Sequence, residues 1–485
     1  MIQALGALAM GVAFDILFYR KAAGVSWFLY IALAFLSVSW MGRQRHKSDL
    51  DKTQYVLLGA SLTFAAFLAL RTAPEIMFCD ALLSVVLFIF FLARWLGAKA
   101  IAQWELLEYF FWPCRVLWES LFKGLGNQRE TFASVRDNSL RGAVMNGIFL
   151  SIIPLVILTW LMMGADMIFR AWAGHILGYF KHWPELGWRG LLVIVVASVF
   201  TGLYAFTRTQ SLGDKTPAAT EDVPKKDLSV EVLIAGTLMN TLLAVFAAIQ
   251  FVFLFGGQKV IESLGVTYSL YARQGFWQMV AIALIILTFS LFFENAMVCA
   301  AGKKRMMHKV SICFLCILSG VIMISAFYRL LIYERMYGFT VLRFYSHTFV
   351  VFLGALFALL VFKAVAEEPR TKFVWRAFWL TIALFLAWNI SNPHSFISRM
   401  NLARYETQGS LDTSYLLRLS ADAVPDTLRI LSQKRSDPTI ATAFEKYRNA
   451  WKQKIKNELQ KHAAWQSHHW GIDRAANALS ASEGG

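Results

Sequence analysis

The stretch VSICFLCILSGVIMISAFY, residues 310–328, decides the fold, because it carries no charged side chain between Lys309 and Arg329. An apolar run of about 18 residues or more is long enough to cross a hydrocarbon core of about 30 Å as a helix. The bilayer core offers no water to hydrogen-bond exposed backbone groups, so a spanning segment of this kind is predicted to be helical. The stretch therefore predicts a transmembrane helix.

Runs of similar length recur along the chain, and we count about eleven in all. The others cover residues 2–19, 24–41, 55–70, 76–95, 146–169, 190–206, 231–255, 276–298, 346–362 and 373–390. After residue 390 the pattern changes to the period of short amphipathic helices. We therefore predict an all-α protein, a polytopic transmembrane helix bundle of about 11 helices with a C-terminal soluble helical domain.

The composition favours the same environment. Of the 485 residues, 57% are hydrophobic and 16% are charged, whereas soluble domains average roughly 45–50% and 25%. The formal net charge of +16 suits loops that meet anionic cytoplasmic lipid, and no motif of a nucleic-acid-binding fold accompanies it. We therefore predict the lipid bilayer as a partner and expect no nucleic acid.

The distribution of Lys and Arg among the connections predicts the orientation. With the N-terminus in the cytoplasm, the cytoplasmic connections hold about 21 basic residues and the opposite ones about 11. The run 2–19 resembles a signal peptide in length, but it lacks a basic leader and contains Asp15, so we expect a retained helix. The prediction is a multi-pass protein of the bacterial cell inner membrane with a cytoplasmic N-terminus and an extracytoplasmic C-terminus.

The spacing of the runs also predicts a division into parts. Residues 1–206 form an N-terminal membrane half, in which the aromatic and charged segment 97–143 is expected to lie as helix at the interface. Residues 207–229 carry glycine, proline and charges and are predicted to be a cytoplasmic linker. Residues 230–390 form the C-terminal membrane half, and residues 391–485 the extracytoplasmic helical domain.

The strongest element of the C-terminal domain opens at Asp437-Pro438, a cap residue followed by a first-turn proline. Its apolar side chains recur three or four positions apart, and they are Ile440, Phe444, Tyr447, Trp451, Ile455 and Leu459. This apolar stripe has two open interpretations. It packs against neighbouring helices of the domain, or it docks a protein partner or lipid.

Ionisable and amide side chains inside the apolar runs are candidate sites, because an ionised group at the bilayer centre costs about 2.5–3.5 kcal/mol. Asp15 and Asp166 lie near helix ends, where a carboxylate reaches water. The alternatives for both are an internal salt bridge or a proton-coupling site. Asn240 and Gln250 share one run and are candidates for interhelical hydrogen bonds or for a common cavity.

A second group of candidates lies where helices meet predicted outer loops. It consists of Arg273, Arg329, Tyr333 and Arg343. Guanidinium groups and phenols in this position bind phosphate or carboxylate, which predicts an anionic lipid or a small-molecule ligand. The alternative is that the same residues anchor helix ends at the headgroups.

No pattern in the sequence predicts a cofactor, a metal or a catalytic site. Cys313 and Cys316 form a C-x-x-C inside an apolar run without a second pair or an obvious histidine partner, so we expect neither zinc nor redox chemistry there. The phosphate-binding loop, the nucleophile elbow, the zinc-protease motif and the dinucleotide fingerprint are all missing. We expect a protein that is not an enzyme.

Several short motifs resemble a bacterial family of polytopic membrane proteins that is catalogued as a domain of unknown function. They are Ala165-Asp166 with Phe169, residues 250–257, Thr267-Tyr268, Tyr271-Ala272-Arg273, Gly275-Phe276, Ser325-Ala326, Arg329, Tyr333, Tyr337-Gly338, Leu342-Arg343, Asn401, Arg404, Leu411-Asp412, Tyr415-Leu416 and residues 419–425. Val266 and Gln274 depart from the family pattern, which puts any paired-arginine role there in doubt. The resemblance implies a fold and a membrane, but no activity.

Three classes of function remain open. The first is non-enzymatic transport or sensing of a small or lipidic ligand. The second is a structural or regulatory membrane component that binds a protein partner through its C-terminal helical domain. The third and least favoured is a membrane-embedded enzyme that acts on lipid or cell-wall precursors.

Overall fold

The computed structural model describes most of the chain, and every regular element among the described residues is a helix. The described residues are 2–42, 51–95, 98–114, 116, 189–201, 233–248, 276–293 and 302–482, apart from residues 191, 198, 235, 246 and 462. They confirm the all-α class. The chain divides into two compact units, residues 1–22, 29–50 and 113–210 in the first and residues 23–28, 51–112 and 211–485 in the second.

The apolar part of the described chain consists of long helices and some shorter ones, and eight of them are numbered here. They are α1 (Ile2–Phe18), α2 (Val25–Gly42), α3 (Lys52–Leu70), α4 (Pro74–Trp95), α5 (Phe276–Phe293), α6 (Lys303–Tyr337), α7 (Val341–Ala366) and α8 (Arg370–Ser391). Five of these, α3, α4, α6, α7 and α8, are long and apolar enough to cross a membrane. Shorter apolar helices include Leu192–Thr201 and Gly236–Val245. The structure thus describes a membrane protein, while the count of eleven spans stays a prediction.

Helix α6 is much longer than the stretch 310–328 that predicted it. It runs over 35 residues, from Lys303 to Tyr337, which is about 52 Å at 1.5 Å per residue. The apolar run stops at Lys309 and Arg329, but the backbone hydrogen bonds of a helix continue through charged residues once these reach water. Both ends of α6 therefore extend beyond a hydrocarbon core of about 30 Å.

The second unit packs its long helices as antiparallel hairpins. Helices α3 and α4 form one hairpin, and α6 and α7 form another that is followed by α8. Leu315, Ile322, Leu353 and Leu360 are fully buried between α6 and α7. At one end, here called the lysine end, lie residues 303–309 and 363–376. The opposite end, here called the platform end, holds residues 70–74, 337–341 and 389–393.

The chain turns sharply between α8 and the first C-terminal helix. Asn392 has φ +48°, a left-handed conformation that asparagine tolerates, and this ends α8. The Asn392 side chain accepts a hydrogen bond from the Ser395 N–H, and Pro393 occupies the first helical turn. These two features start a new helix directly at the platform end.

Five further helices form a compact body, here called the platform. They are α9 (Pro393–Gln408), α10 (Thr413–Leu416), α11 (Val424–Gln433), α12 (Pro438–Lys461) and α13 (Trp470–Ala481). Asp437 opens α12 by accepting a hydrogen bond from the Thr439 N–H. The apolar stripe of α12 is buried in the platform core from Ile440 to Ile455, and only Leu459 is exposed. Of its two interpretations, the structure therefore corresponds to packing within the domain.

Candidate functional site

The turn between α3 and α4 is held by side chains of the platform. The Asp422 carboxylate accepts hydrogen bonds from the backbone N–H groups of Thr72, at 2.7 Å, and Ala73, at 3.2 Å. The Asp422 N–H in turn donates to the Thr72 hydroxyl at 2.9 Å. Since Pro74 is the first residue of α4, the buried carboxylate lies at the positive end of that helix dipole and caps it.

The other side of the same turn is capped by a cation. Arg474, from α13, donates to the carbonyl of Leu70 at 2.7 Å, where α3 ends. Gly471 permits this approach, because a Cβ there would lie 2.9 Å from the Leu70 carbonyl oxygen. Burial lowers the pKa of Arg71 in the turn, although the nearby Asp422 carboxylate acts in the opposite direction.

The turn between α6 and α7 is capped in the same way. Asn401, from α9, accepts from the Phe339 N–H at 2.7 Å and donates to the Phe339 carbonyl at 2.9 Å. Arg404 donates to the Arg335 and Met336 carbonyls at 3.2 and 2.7 Å, at the end of α6. Gly338 has φ +79°, and a Cβ there would lie 2.8 Å from the Asn401 side-chain oxygen. The turn is therefore shaped to receive the platform.

Further contacts complete the attachment. The Tyr415 hydroxyl accepts from the N–H of Val341, the first residue of α7, at 2.9 Å. The Phe396 ring packs on Phe344 with centroids 5.6 Å apart. The carbonyl of His468 accepts from the N–H of Val25, at the start of α2, at 3.2 Å. The platform thus caps three helix turns at the platform end, and we call this set of contacts the capping site.

A buried acid–imidazole pair lies beside the capping site. His394 is 4% exposed, and its Nε2 lies 2.6 Å from the Glu75 carboxylate. Its Nδ1 lies 2.7 Å from the backbone N of Ser420 and accepts that N–H. Because Nδ1 is an acceptor, the imidazole is neutral with its proton on Nε2, and it donates to Glu75. The histidine joins α4 to the platform segment that carries Asp422.

A second buried pair lies deeper in the bundle. Asn389, from α8, donates to the Asp80 carboxylate of α4 at 2.7 Å. Asp80 is 0% exposed and Asn389 is 1% exposed. Tyr345, from α7, lies near both Asp80 and Glu75. Of the two acids of α4, Glu75 lies half-buried in the first turn, whereas Asp80 is fully buried in the apolar bundle, where an acid requires a polar partner.

A family model described as domain of unknown function (DUF4153) matches residues 55–430. This chain belongs to that family. The finding confirms the resemblance seen in the sequence, and the matched region includes Glu75, Asp80, His394, Asn401, Arg404 and Asp422 but ends before Arg474. No curated protein and no solved structure is similar enough to the chain to count as a match.

Within the family region, the residues that carried the resemblance converge in space. Asn401, Arg404 and Tyr415 hold the turn that contains Gly338. Arg343 hydrogen-bonds the Gly338 carbonyl, and its guanidinium lies 4.2 Å from the centre of the Tyr333 ring. The candidates Tyr333 and Arg343 therefore brace the α6–α7 turn.

Arg329 lies about two turns from that end of α6 and is 8% exposed. A polar contact between helices follows it, because the buried Glu334 of α6 lies within hydrogen-bond distance of His347 of α7, at 2.9 Å. Arg273 was grouped with these residues, but it lies outside the described residues, as do Asp166 and Gln250. The structure thus brings Tyr333 and Arg343 together and places Arg329 deeper in the bundle.

Asp15 and Asn240 are not among the residues of the capping site, and each has a polar partner. Asp15, in the first unit, forms a bidentate ion pair with Arg189, with a shortest distance of 2.6 Å. This geometry corresponds to the internal salt bridge, one of the interpretations left open. Asn240 donates to the Ser311 hydroxyl of α6 at 2.9 Å, an interhelical hydrogen bond.

Several residues of the capping site carried no predicted role. Asp422 and Arg474 contact residues about 350 to 400 positions away, and their partners are backbone groups that leave no mark on the sequence. Two signals were available nonetheless. Asp80 interrupts the run 76–95, and Glu75 follows the proline that opens it. An acid in an apolar run requires a partner on another helix.

Proposed function

We propose that this chain is a non-enzymatic multi-pass membrane protein in which the platform senses a small or lipidic ligand and sets the arrangement of the helix bundle. The single observation that carries the proposal is the capping site. Side chains of one compact body satisfy the backbone at both membrane hairpins. Any movement of the platform must break caps on the α3–α4 and α6–α7 turns together, because both sets of capping side chains share one core.

Electrostatics supports coupling rather than simple attachment. The Asp422 cap is buried, and a buried N–H group that loses its partner costs about 1–3 kcal/mol. The platform therefore moves between two discrete arrangements and does not drift gradually. Coupling between two sites requires an element of this kind, whose two states both sites can favour or disfavour. The neutral imidazole of His394 adds a contact that protonation of Nδ1 would abolish.

We also propose that the lysine end faces the cytoplasm and the platform lies on the opposite side of the cell inner membrane. Basic residues concentrate at the lysine end, among them Lys303, Lys304, Arg305 and Lys309. Helix α4 ends and α6 begins at that end. The chain between them would then cross the membrane an even number of times, in line with the predicted runs 146–169, 190–206, 231–255 and 276–298 and the linker 207–229.

Hydrogen exchange of the full-length protein in lipid nanodiscs tests the coupling. The double variant Asp422→Ala/Arg404→Ala removes one carboxylate and one guanidinium that cap the hairpins. We expect amide exchange to rise about tenfold or more along α3, α4, α6 and α7, since losing about 1.4 kcal/mol has that effect.

The matched control is Asp426→Ala/Arg399→Ala, which removes the same two charges from a pair whose partners all lie in the platform. Hydrogen bonds from Ser395 and Arg429 and the Arg399 charge lower the pKa of Asp426 despite its burial, which by itself raises it. The proposal fails if exchange in the capping variant rises only at residues 70–74 and 337–341.

Proton-linked transport is a second candidate, favoured by the fully buried acid Asp80 and the half-buried acid Glu75 on apolar α4. Its test is proton flux into vesicles that contain the reconstituted protein and an enclosed pH-sensitive dye. Transport predicts flux that Glu75→Gln abolishes, and tight vesicles with the wild-type protein would remove this candidate. Binding of a protein partner through the C-terminal helices stays a prediction, and it would use a surface other than the buried apolar stripe of α12.

A further inference from the structure

The pair formed by the Asp80 and Asn389 side chains lacks one hydrogen-bond donor. Asn389 Nδ2 donates to Asp80 Oδ1 at 2.7 Å and to the Phe385 carbonyl at 3.2 Å. The carbonyl contact fixes the orientation of the amide, because only an N–H group can face it. The remaining oxygens, Asp80 Oδ2 and Asn389 Oδ1, are buried and have no donor among the described residues.

Two buried acceptors without donors are unfavourable, and an ionised carboxylate in this position is more so. Buried polar groups are hydrogen-bonded in the great majority of cases, so each exception requires an explanation. A carboxylate with one bare oxygen in an apolar bundle also lacks the full set of partners that stabilises a buried charge. A single proton between the two oxygens satisfies both.

We propose that Asp80 and Asn389 are a proton-binding site, in which Asp80 Oδ2 carries a proton and donates it to Asn389 Oδ1. The acid and the amide then form a ring closed by two hydrogen bonds. The ligand class is a proton, bound between the last turn of α8 and a position on α4 about two turns from its first residue. This inference does not rest on the proposed function, since it concerns neither the platform caps nor their partners.

Among the neighbours of Asp80, the Arg71 cation favours the ionised carboxylate, but Arg71 interacts more strongly with another acid. On the α3–α4 turn, Arg71 has the Asp422 carboxylate of the platform as its strongest charge partner. On α4, Glu75 pairs with His394 of the platform, and Cys79 adds a neutral thiol. On α7, the Tyr345 phenol lies near both acids. A second negative charge beside Glu75 would be disfavoured by repulsion.

The variant Asp80→Asn tests the proposal, because an asparagine permanently carries the N–H donor that the protonated acid supplies. In full-length protein in nanodiscs at neutral pH, we expect its melting temperature to stay within about 3 °C of the wild type. We also expect an infrared C=O band of a protonated carboxylic acid in the wild type that Asp80→Asn lacks.

Asn389→Leu is the matched disruptive variant, since it keeps the acid but removes the amide. We expect it to lower the melting temperature more than Asp80→Asn does and to shift the carboxylic acid band. Three results would overturn the proposal. These are a wild type without the band, an Asp80→Asn variant that melts far lower or fails to fold, and a wild type whose melting temperature rises when sodium replaces choline. The last result would assign the oxygens to a monovalent cation.

Discussion

At the lysine end of the bundle, ion pairs join one side chain to another, whereas the platform holds the helix turns at the opposite end through side chains that bind backbone groups. Glu367 pairs with Lys309 and Arg305, and Glu368 pairs with Arg376. These groups lie in or near water, and Glu367 is 43% exposed. Among the capping residues of the platform end, Asp422 is buried and Arg474 is exposed, and both bind backbone groups at helix termini.

The difference shows which end of the bundle determines how its helices are arranged. An exposed ion pair contributes about 0–1 kcal/mol and is replaced easily by water or by another charge. A buried cap has one geometry, and its loss leaves backbone groups unsatisfied. We expect substitutions at the lysine end to change the stability of the bundle little and substitutions at the platform end to lower it. Four predictions break or sharpen this comparison, from the largest expected effect to the smallest.

Gly471→Ala should have the largest effect. The new methyl group would lie 2.8–2.9 Å from the Thr72 methyl carbon and the Leu70 carbonyl oxygen, so α13 must move away from the turn. We expect the free energy of unfolding in detergent micelles to fall by about 2–3 kcal/mol. The control is Gly59→Ala in α3, where nothing lies within 4 Å of the new carbon. Equal stability of the two variants would contradict the described contact.

Asn401→Ala should cost about 1–2 kcal/mol, because it leaves the Phe339 N–H and carbonyl without their partner. Denaturant titration of the full-length protein measures the loss. Asn457→Ala on the exposed surface of α12 serves as the matched control. If both variants unfold at the same denaturant concentration, the α6–α7 turn is not held by the platform in the way described.

Glu367→Gln, at the lysine end, should change stability little. Its contacts with Lys309 and Arg305 lower the pKa of Glu367, yet they are exposed and screened by salt. We expect a small drop in melting temperature at low ionic strength that disappears in concentrated salt. A large drop that persists in salt would show that the two ends do not differ in kind.

The smallest effect concerns acid sensitivity at the start of α12. The Tyr405 hydroxyl donates to Asp437 at 2.6 Å, and this bond lowers the pKa of Asp437 below its usual 3.8. A lowered pKa in the folded state gives stability that is complete above pH 3.8 and is lost as the pH falls through the lowered value. Melting curves between about pH 2 and 6 should therefore show a shallower acid loss in Tyr405→Phe than in the wild type. Parallel curves would contradict the assignment.

The sequence predicted the fold class far better than the site. A membrane span is recognised from one local property, the hydrophobicity of a continuous stretch. The sequence therefore predicted α3, α4, α6, α7 and α8, each from a single stretch. The apolar stripe of α12 was equally visible, because its period is local. The caps depend on Asp422 and Arg474 meeting backbone atoms hundreds of residues away, and backbone atoms are the same for every residue type. Such contacts follow from packing and leave no spacing to detect.

The capping of early turns by distant residues has a consequence for how the chain is made. A ribosome finishes residues 70–74 long before it reaches Asp422 and Arg474. Until then, the backbone groups of the α3–α4 turn have no cap from the platform. Water or a chaperone can bind them instead. Quality-control proteases that recognise uncapped hairpins would thus have a long interval in which to act. That interval ends when α13 has been synthesised and binds the turn.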